Sequence, residues 1–128
     1  MTDAIAAAHS ALGAMSTSLA VSANNVANAT TDGYKSREAR LADGPDARSV
    51  QVTDIVRDDA AGGLNPTVVE ARDEAGVPAP GVDLVEMSNV NLVRQNVNMI
   101  EASRAFEAGA AVIRTADDMA GTLLDRRV

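Results

Sequence analysis

The chain has 128 residues, 46% of them apolar, with one Phe, one Tyr, no Trp and no Cys. That is one domain's worth of chain, and the missing cysteine excludes disulfides, thiolate nucleophiles and every Cys-based metal or cluster site. Eighteen acids against eleven bases give a net charge of −7 at pH 7, which argues against partners built on phosphate charge, whether nucleic acid or an anionic membrane.

Composition divides the chain into three regions: 1–35, 36–88 and 89–128. Residues 36–88 hold eleven acids, five bases, all four prolines and five of the nine glycines. They predict an irregular acidic middle between two helical ends. The first Lys or Arg is Lys35 and the uninterrupted apolar runs are as short as Ala4–Ala8, so neither a cleavable leader nor a membrane span is expected.

Residues 3–28 contain nine Ala, one Gly and no Pro, and predict a helix. Ile5, Leu12, Leu19 and Val26 recur every seven residues, and Ala8, Met15 and Ser22 follow three further on. This is an a/d seam with small or polar d positions. The helix ends in Ala23-Asn24-Asn25-Val26-Ala27-Asn28-Ala29-Thr30-Thr31-Asp32-Gly33-Tyr34-Lys35. Asn24 and Asn28 stand one turn apart, where their amides can satisfy orphan carbonyls and hold the next loop. Gly33 can take a positive φ, and Tyr34 can lay its ring beside the helix. A plain helix stop needs one Asn or Gly, so the cluster exceeds what termination requires.

Short extended runs follow at Ser49–Arg57, Thr67–Arg72 and Val82–Met87, and predict a small β element. Val50, Val52 and Val56 would share a face, with Asp54 interrupting it. Gly62-Gly63 and Val77–Gly81 predict turns, and Asp43–Asp46 a loop. The last segment, 89–124, repeats the helical seam: Leu92, Met99, Phe106, Ile113 and Ala120 seven apart, with Gln95, Ala102, Gly109, Ala116 and Leu123 at d. Ser88 or Asn89 is the expected cap. At 1.5 Å per residue the helices would be roughly 40 and 54 Å long. A middle of ~60 residues cannot cover both stripes, so the seams are expected to pair with each other and with other chains.

Catalytic chemistry is thin. His9, the only histidine, has no ligand neighbour, and Ser16, Thr17 and Ser18 have no base in sequence. Asp58-Asp59 and Asp117-Asp118 point to different faces and make neither a dyad nor a calcium loop. Asn28-Ala29-Thr30 matches a glycosylation sequon only formally. The residues call for no catalytic residue, metal or cofactor, and the chain is read as no enzyme.

The Asn24–Lys35 cluster resembles the signature that ends the N-terminal helix of the flagellar axial family, the rod and hook subunits: Ala23, Asn24, Asn25, Ala27, Asn28, Thr31, Gly33, Tyr34 and Lys35 carry it here. Val82–Met119, with the Ser88-Asn89-Val90-Asn91 approach, is similar to the C-terminal helix of the same family. The resemblance spans about 70 of the 128 residues. Short length, no large insert and the run Val97–Ala108 favour the proximal-rod FlgC type. The Ala29–Gly33 spacing and the Ser88–Asn91 approach are those of distal-rod and hook members, which stand as the alternative.

The resemblance implies a mainly α fold in which long N- and C-terminal helices pair as an antiparallel coiled coil, with a small irregular β-containing middle segment. It implies a structural subunit of the basal-body rod, synthesised in the cytoplasm and exported unfolded by the flagellar type III apparatus into a periplasmic tube. Its partners would be copies of itself, other rod proteins and that export apparatus. No nucleic acid, small-molecule substrate or direct membrane insertion is implied. Rivals from other classes are a secreted coiled-coil effector or adhesin and, more remotely, a small enzyme.

Overall fold

A computed structural model describes residues 2–45, 48–72 and 74–126. Asp46 of the expected Asp43–Asp46 loop, like residues 1, 127 and 128 of the outer regions, lies outside the described residues. The order of elements is α1 (Thr2–Ala27), β1 (Arg37–Asp43), β2 (Val50–Arg57), β3 (Leu64–Arg72), β4 (Pro78–Glu86) and α2 (Leu92–Asp125). Two long helices thus flank a middle of small antiparallel strands.

α1 and α2 lie side by side over the length of α1. Asn25 bonds Gln95, while Gly109 faces Leu12 and Ala8, so the helices run in opposite directions. On the α2 side the contact includes the small residues Ala102, Gly109 and Ala116. Ala8, Ala14, Ala102 and Ala116 are the buried apolar side chains, and Ser22, Asn25, Ser36 and Gln95 the buried polar ones, among the described residues. A Cβ at Gly109 would come within 3.2 Å of the Leu12 side chain and 3.7 Å of the Ala8 carbonyl. The helices are therefore close at this point, where the Leu12 side chain packs into the space that Gly109 leaves open.

On its other flank α1 carries the β1–β2 hairpin. Val50 N donates to Ser10 Oγ at 3.1 Å, and the exposed Arg48–Asp3 pair, at 2.8 Å, lies one helix segment further on. β1 pairs antiparallel with β2, and the register slips between Arg40 and Leu41. Arg40 faces Asp54 and Leu41 faces Val52, so Thr53 is the extra residue, with its hydroxyl donating to the Arg40 carbonyl at 3.2 Å. Val50, Val52 and Val56 are the half-buried residues of β2.

β3 and β4 form a second, separate antiparallel hairpin in unbroken register from Leu64↔Glu86 to Arg72↔Pro78. It touches neither helix and neither strand of the first hairpin.

Several expectations are corrected. The small β element expected in the middle is present, as two hairpins, but β1 lies outside the extended runs that predict it. Its sequence, REARLAD, is rich in helix formers, and pairing with β2 overrides that preference. Val77–Gly81 was expected to turn. Instead the chain reverses before Pro78, and Pro78–Gly81 belong to β4, which tolerates proline because it is an edge strand. The cap of α2 is neither Ser88 nor Asn89 but Asn91, whose side chain accepts from Arg94 N at 3.0 Å.

By length and composition, Asp3–Ala27 is also long and apolar enough to cross a membrane, a property that the short apolar runs concealed because it comes from alanine spread along the helix. Here the same helix packs on α2 and on β1–β2.

Candidate functional site

The end of α1, the loop after it and the approach to α2 converge in one knot of hydrogen bonds, and amide side chains hold it. Asn25, 0% exposed, projects from the last turns of α1. Its Oδ1 accepts from Arg37 N at 2.9 Å, and its Nδ2 donates to Arg37 O at 2.6 Å. The amide thereby clasps both backbone groups of the first residue of β1, as a neighbouring strand would. The same Nδ2 donates to Gln95 Oε1 at 3.1 Å. One side chain therefore joins α1, β1 and α2.

Tyr34 closes the knot from outside: its hydroxyl lies 2.9 Å from Asn24 Oδ1 and 3.1 Å from Asn25 Oδ1. Gly33, at φ 67°, turns the chain in a region that disfavours L side chains and directs its N–H to Glu86 O at 2.7 Å. Asn28 caps locally: its Nδ2 donates to the Asn24 carbonyl at 2.9 Å, and Thr31 reaches Asn28 Oδ1 at 3.4 Å.

Asn89 does for the far side what Asn25 does for the near one. Its Oδ1 accepts from Ser36 N at 2.7 Å, and its Nδ2 donates to Asp58 O and Ala60 O at 2.9 and 3.0 Å. The backbone adds Asp58 N to Ser36 O at 2.8 Å. Beside it, Lys35 Nζ donates to Glu86 Oε1 at 2.7 Å and to Ala60 O at 2.8 Å, and Gly62 N donates to the same carboxylate oxygen at 2.8 Å. The Lys35 hydrogen bond, the Gly62 N–H and the Lys35 charge hold the Glu86 carboxyl below the usual carboxylate range. A Cβ at Gly62 would collide with the Met87 carbonyl, so the chain can cross here only as glycine. Among the described residues, no buried side-chain N or O lacks a partner.

Of the residues singled out from sequence, Asn24, Asn25, Gly33, Tyr34 and Lys35 meet in this knot. Asn28 and Thr31 sit at its rim, and Ala23 and Ala27 lie on the exposed side of α1. Sequence reasoning assigns Asn89 only to capping and gives Glu86 no role, whereas both bond into the junction. The two Asn of Ser88-Asn89-Val90-Asn91 were the available signal: one caps α2 and frees the other for the junction. The seam residues divide. Ile5, Leu12, Met15, Leu19 and Val26 are half-buried, as are Met99 and Ile113. Leu92, Phe106 and Leu123 are exposed. What α2 presents to α1 is the small or polar d series of Gln95, Ala102, Gly109 and Ala116. Among the described residues no group of three His, Asp or Glu is placed to hold a metal ion. The geometry joins chain segments.

Two family profiles match the two sides of this knot. Residues 5–35 match that of the flagella basal body rod protein, and residues 83–126 that of the flagellar basal body rod FlgEFG protein C-terminal region. The chain is similar to the flagellar basal-body rod protein FlgG of Buchnera aphidicola subsp. Baizongia pistaciae, 57% identical over 35 residues, which are 27% of this chain and 14% of that protein. It is similar also to FlgC of Borreliella burgdorferi, 54% identical over 35 residues, 27% of this chain and 23% of that one. The aligned stretch thus spans less than a quarter of either relative's length.

Proposed function

We propose, since the chain belongs to the flagellar basal-body rod protein family, that it is a structural, non-catalytic subunit of the rod in the flagellar basal body. The observation that carries this reading is the junction. Asn25, Tyr34 and Lys35 from the first matched segment are bonded, directly or through shared carbonyls, to Glu86, Asn89 and Gln95 from the second. A subunit that packs into a tube through its two terminal helices needs them held in one register, and a knot of satisfied amides resists relative sliding.

In this reading the helices pair as an antiparallel coiled coil, using the small d series inside. The exposed a-series residues Leu92 and Phe106 turn toward neighbouring subunits. α2 supports this: Val93, Ile100, Val112 and Leu124 are also exposed, so it is apolar on more sides than one partner can cover. The subunit would reach the rod through the flagellar type III apparatus, which reads an uncleaved N-terminal segment, and would assemble with copies of itself and other rod proteins. Within the family, Val97–Ala108 supports the proximal-rod FlgC type. A second reading, a distal-rod or hook-type subunit, is favoured by the match to the FlgEFG C-terminal description and by the Ala29–Gly33 spacing.

The test is complementation of a strain lacking the corresponding rod gene, scored for motility, secreted protein and hook number. The Asn25→Ala variant should be secreted but not incorporated, since threading of an unfolded chain is indifferent to packing. Normal hooks and swimming in that variant would remove the junction from the argument.

A further inference from the structure

The β3–β4 hairpin is the least covered part of the chain, and its two edges and two faces are built differently. Met87 N donates to Gly63 O at 2.7 Å. With the observed register, the odd-numbered residues therefore carry the hydrogen bonds between the strands, and the even-numbered ones turn their backbone groups outward along the edges. Pro66, Pro78 and Pro80 all occupy outward positions, so neither edge offers an unbroken row of donors for an added strand. Side chains of the same even series share one face, where Leu64, Val68, Val82 and Leu84 are 63%, 74%, 72% and 60% exposed. The hairpin is closed to pairing by its edge and open to packing by its face.

We propose that this face seats on the outward strip of α2 in a second copy of the chain, formed by Val93, Val97 and Ile100 and ending at Arg104. Those three side chains, spaced by four and three, lie on the side of α2 opposite Gln95 and Ala102 and are 74%, 48% and 61% exposed. Charge selects this target. The even face of the hairpin runs outward from Leu64 through an acid, Glu70, to Arg72 at the tip, whose guanidinium is held by the Gly76 carbonyl at 2.9 Å, while the α2 strip runs from Val93 to a base. α1, the other long surface, contains no Lys or Arg. Arg104 now pairs with Glu107 at 2.9 Å, both largely exposed, and such surface pairs exchange at little cost.

Lengths agree as well: Leu64 to Glu70 spans about 20 Å of strand and Val93 to Arg104 about 16 Å of helix. The hairpin cannot reach its own strip, because Gly33 N on Glu86 O and the Lys35–Glu86–Gly62 contacts pin its base to the junction, and it touches neither helix. Two unlike surfaces on one chain make a head-to-tail contact, which propagates into a helical array rather than closing a dimer. The proposal rests on the reading of the chain as a rod subunit and adds the contact through which copies join.

The absence of cysteine makes the test clean. Purified full-length Val82→Cys and Val97→Cys variants, mixed at high concentration and oxidised, should give disulfide-linked mixed dimers at least tenfold more than either alone. Glu70→Lys should weaken self-association at least tenfold by sedimentation, and Arg104→Glu in the partner copy should restore it. No mixed dimer, Val82→Cys linking equally well to itself, or no self-association of the wild-type chain would each overturn the proposal. Complementation by the wild-type chain and by a chain carrying both Val82→Cys and Val97→Cys, the latter oxidised in isolated basal bodies, separates this outcome from the functional reading. Restored rods whose isolated basal bodies lack the Val82–Val97 link would retire the contact alone. A mixed dimer from a chain that restores no rods would retire the rod reading and leave the contact standing.

Discussion

The junction and the β3–β4 hairpin share Glu86 yet represent opposite ways of using a short sequence. At the junction, polar side chains are buried and fully bonded: Asn25 is 0% exposed and meets β1, α2 and Tyr34. In the hairpin, apolar side chains are exposed, with Val68 74% and Val82 72% open to solvent. Polarity inside and apolarity outside reverse the usual distribution. The lesson is that each region serves a different partner. The amides satisfy backbone groups that only this chain presents, whereas the valines await a surface that this chain does not supply. The former should govern whether the monomer folds, and the latter whether monomers join.

Four substitutions separate these roles, and the largest effect is expected at Asn25. Asn25→Ala leaves both backbone groups of Arg37 and the Gln95 amide without partners. At about 1–3 kcal/mol for each group left unsatisfied where water cannot reach it, the cost should be the largest of the four, because among the described residues the buried apolar side chains are all alanine. Loss of helical circular dichroism at 25 °C would register it, and an unchanged urea midpoint would sever the junction from folding. Gly109→Leu comes next. A Cβ alone already meets Leu12 at 3.2 Å, so a full side chain must part the helices, at about 1–3 kcal/mol, seen as a lowered midpoint with the junction's amide protection retained.

The Lys35–Glu86 clasp should show itself in pH. Glu86 in the folded chain holds its proton less readily than in the unfolded one. Its contribution is therefore complete above the ordinary glutamate value of about 4.3 and fades as pH falls through the lowered one. Exchange protection of the Gly62 amide should follow that titration, and Glu86→Gln should abolish the dependence. An acid limb that survives Glu86→Gln would assign it to another carboxylate. The smallest effect is expected at the tip of the contrast. Val68→Asp on the open face should change monomer stability by no more than about 0.5 kcal/mol while lowering self-association, and a large fall in the midpoint would mean that the face is covered within the chain.

Much of this was legible in the residues. Alanine content and seven-residue spacing mark both helices, because a helix needs only local preference and one periodic stripe. The Asn-rich turn from Asn24 to Lys35 stands out because a helix stop needs far less. The two sides of the junction also carry the family motifs. The roles within it were not legible. Asn24, Asn28 and Tyr34 drew attention for their position, yet Asn25 does the joining, and its partners Arg37 and Gln95 lie 12 and 70 residues away.

The sequence by itself determined the two long helices, an acidic middle set apart from them and the presence of a special turn between helix and strand, since all of these arise from neighbours along the chain. Tertiary structure alone decided the rest. Arg37–Asp43 became a strand against its own helix-forming composition because Val50–Arg57 and Asn25 offered it partners. The prolines at 78 and 80 went into a strand because both edges of that hairpin are free. Which half of each seam was buried followed from how closely two alanine-rich backbones can approach, and Gly109 and Ala102 permit what Phe106 does not. Local preference limits what a segment can be; only the segments that meet it in space choose among those options, because hydrogen bonds and dispersion act at contact distance and not at sequence distance.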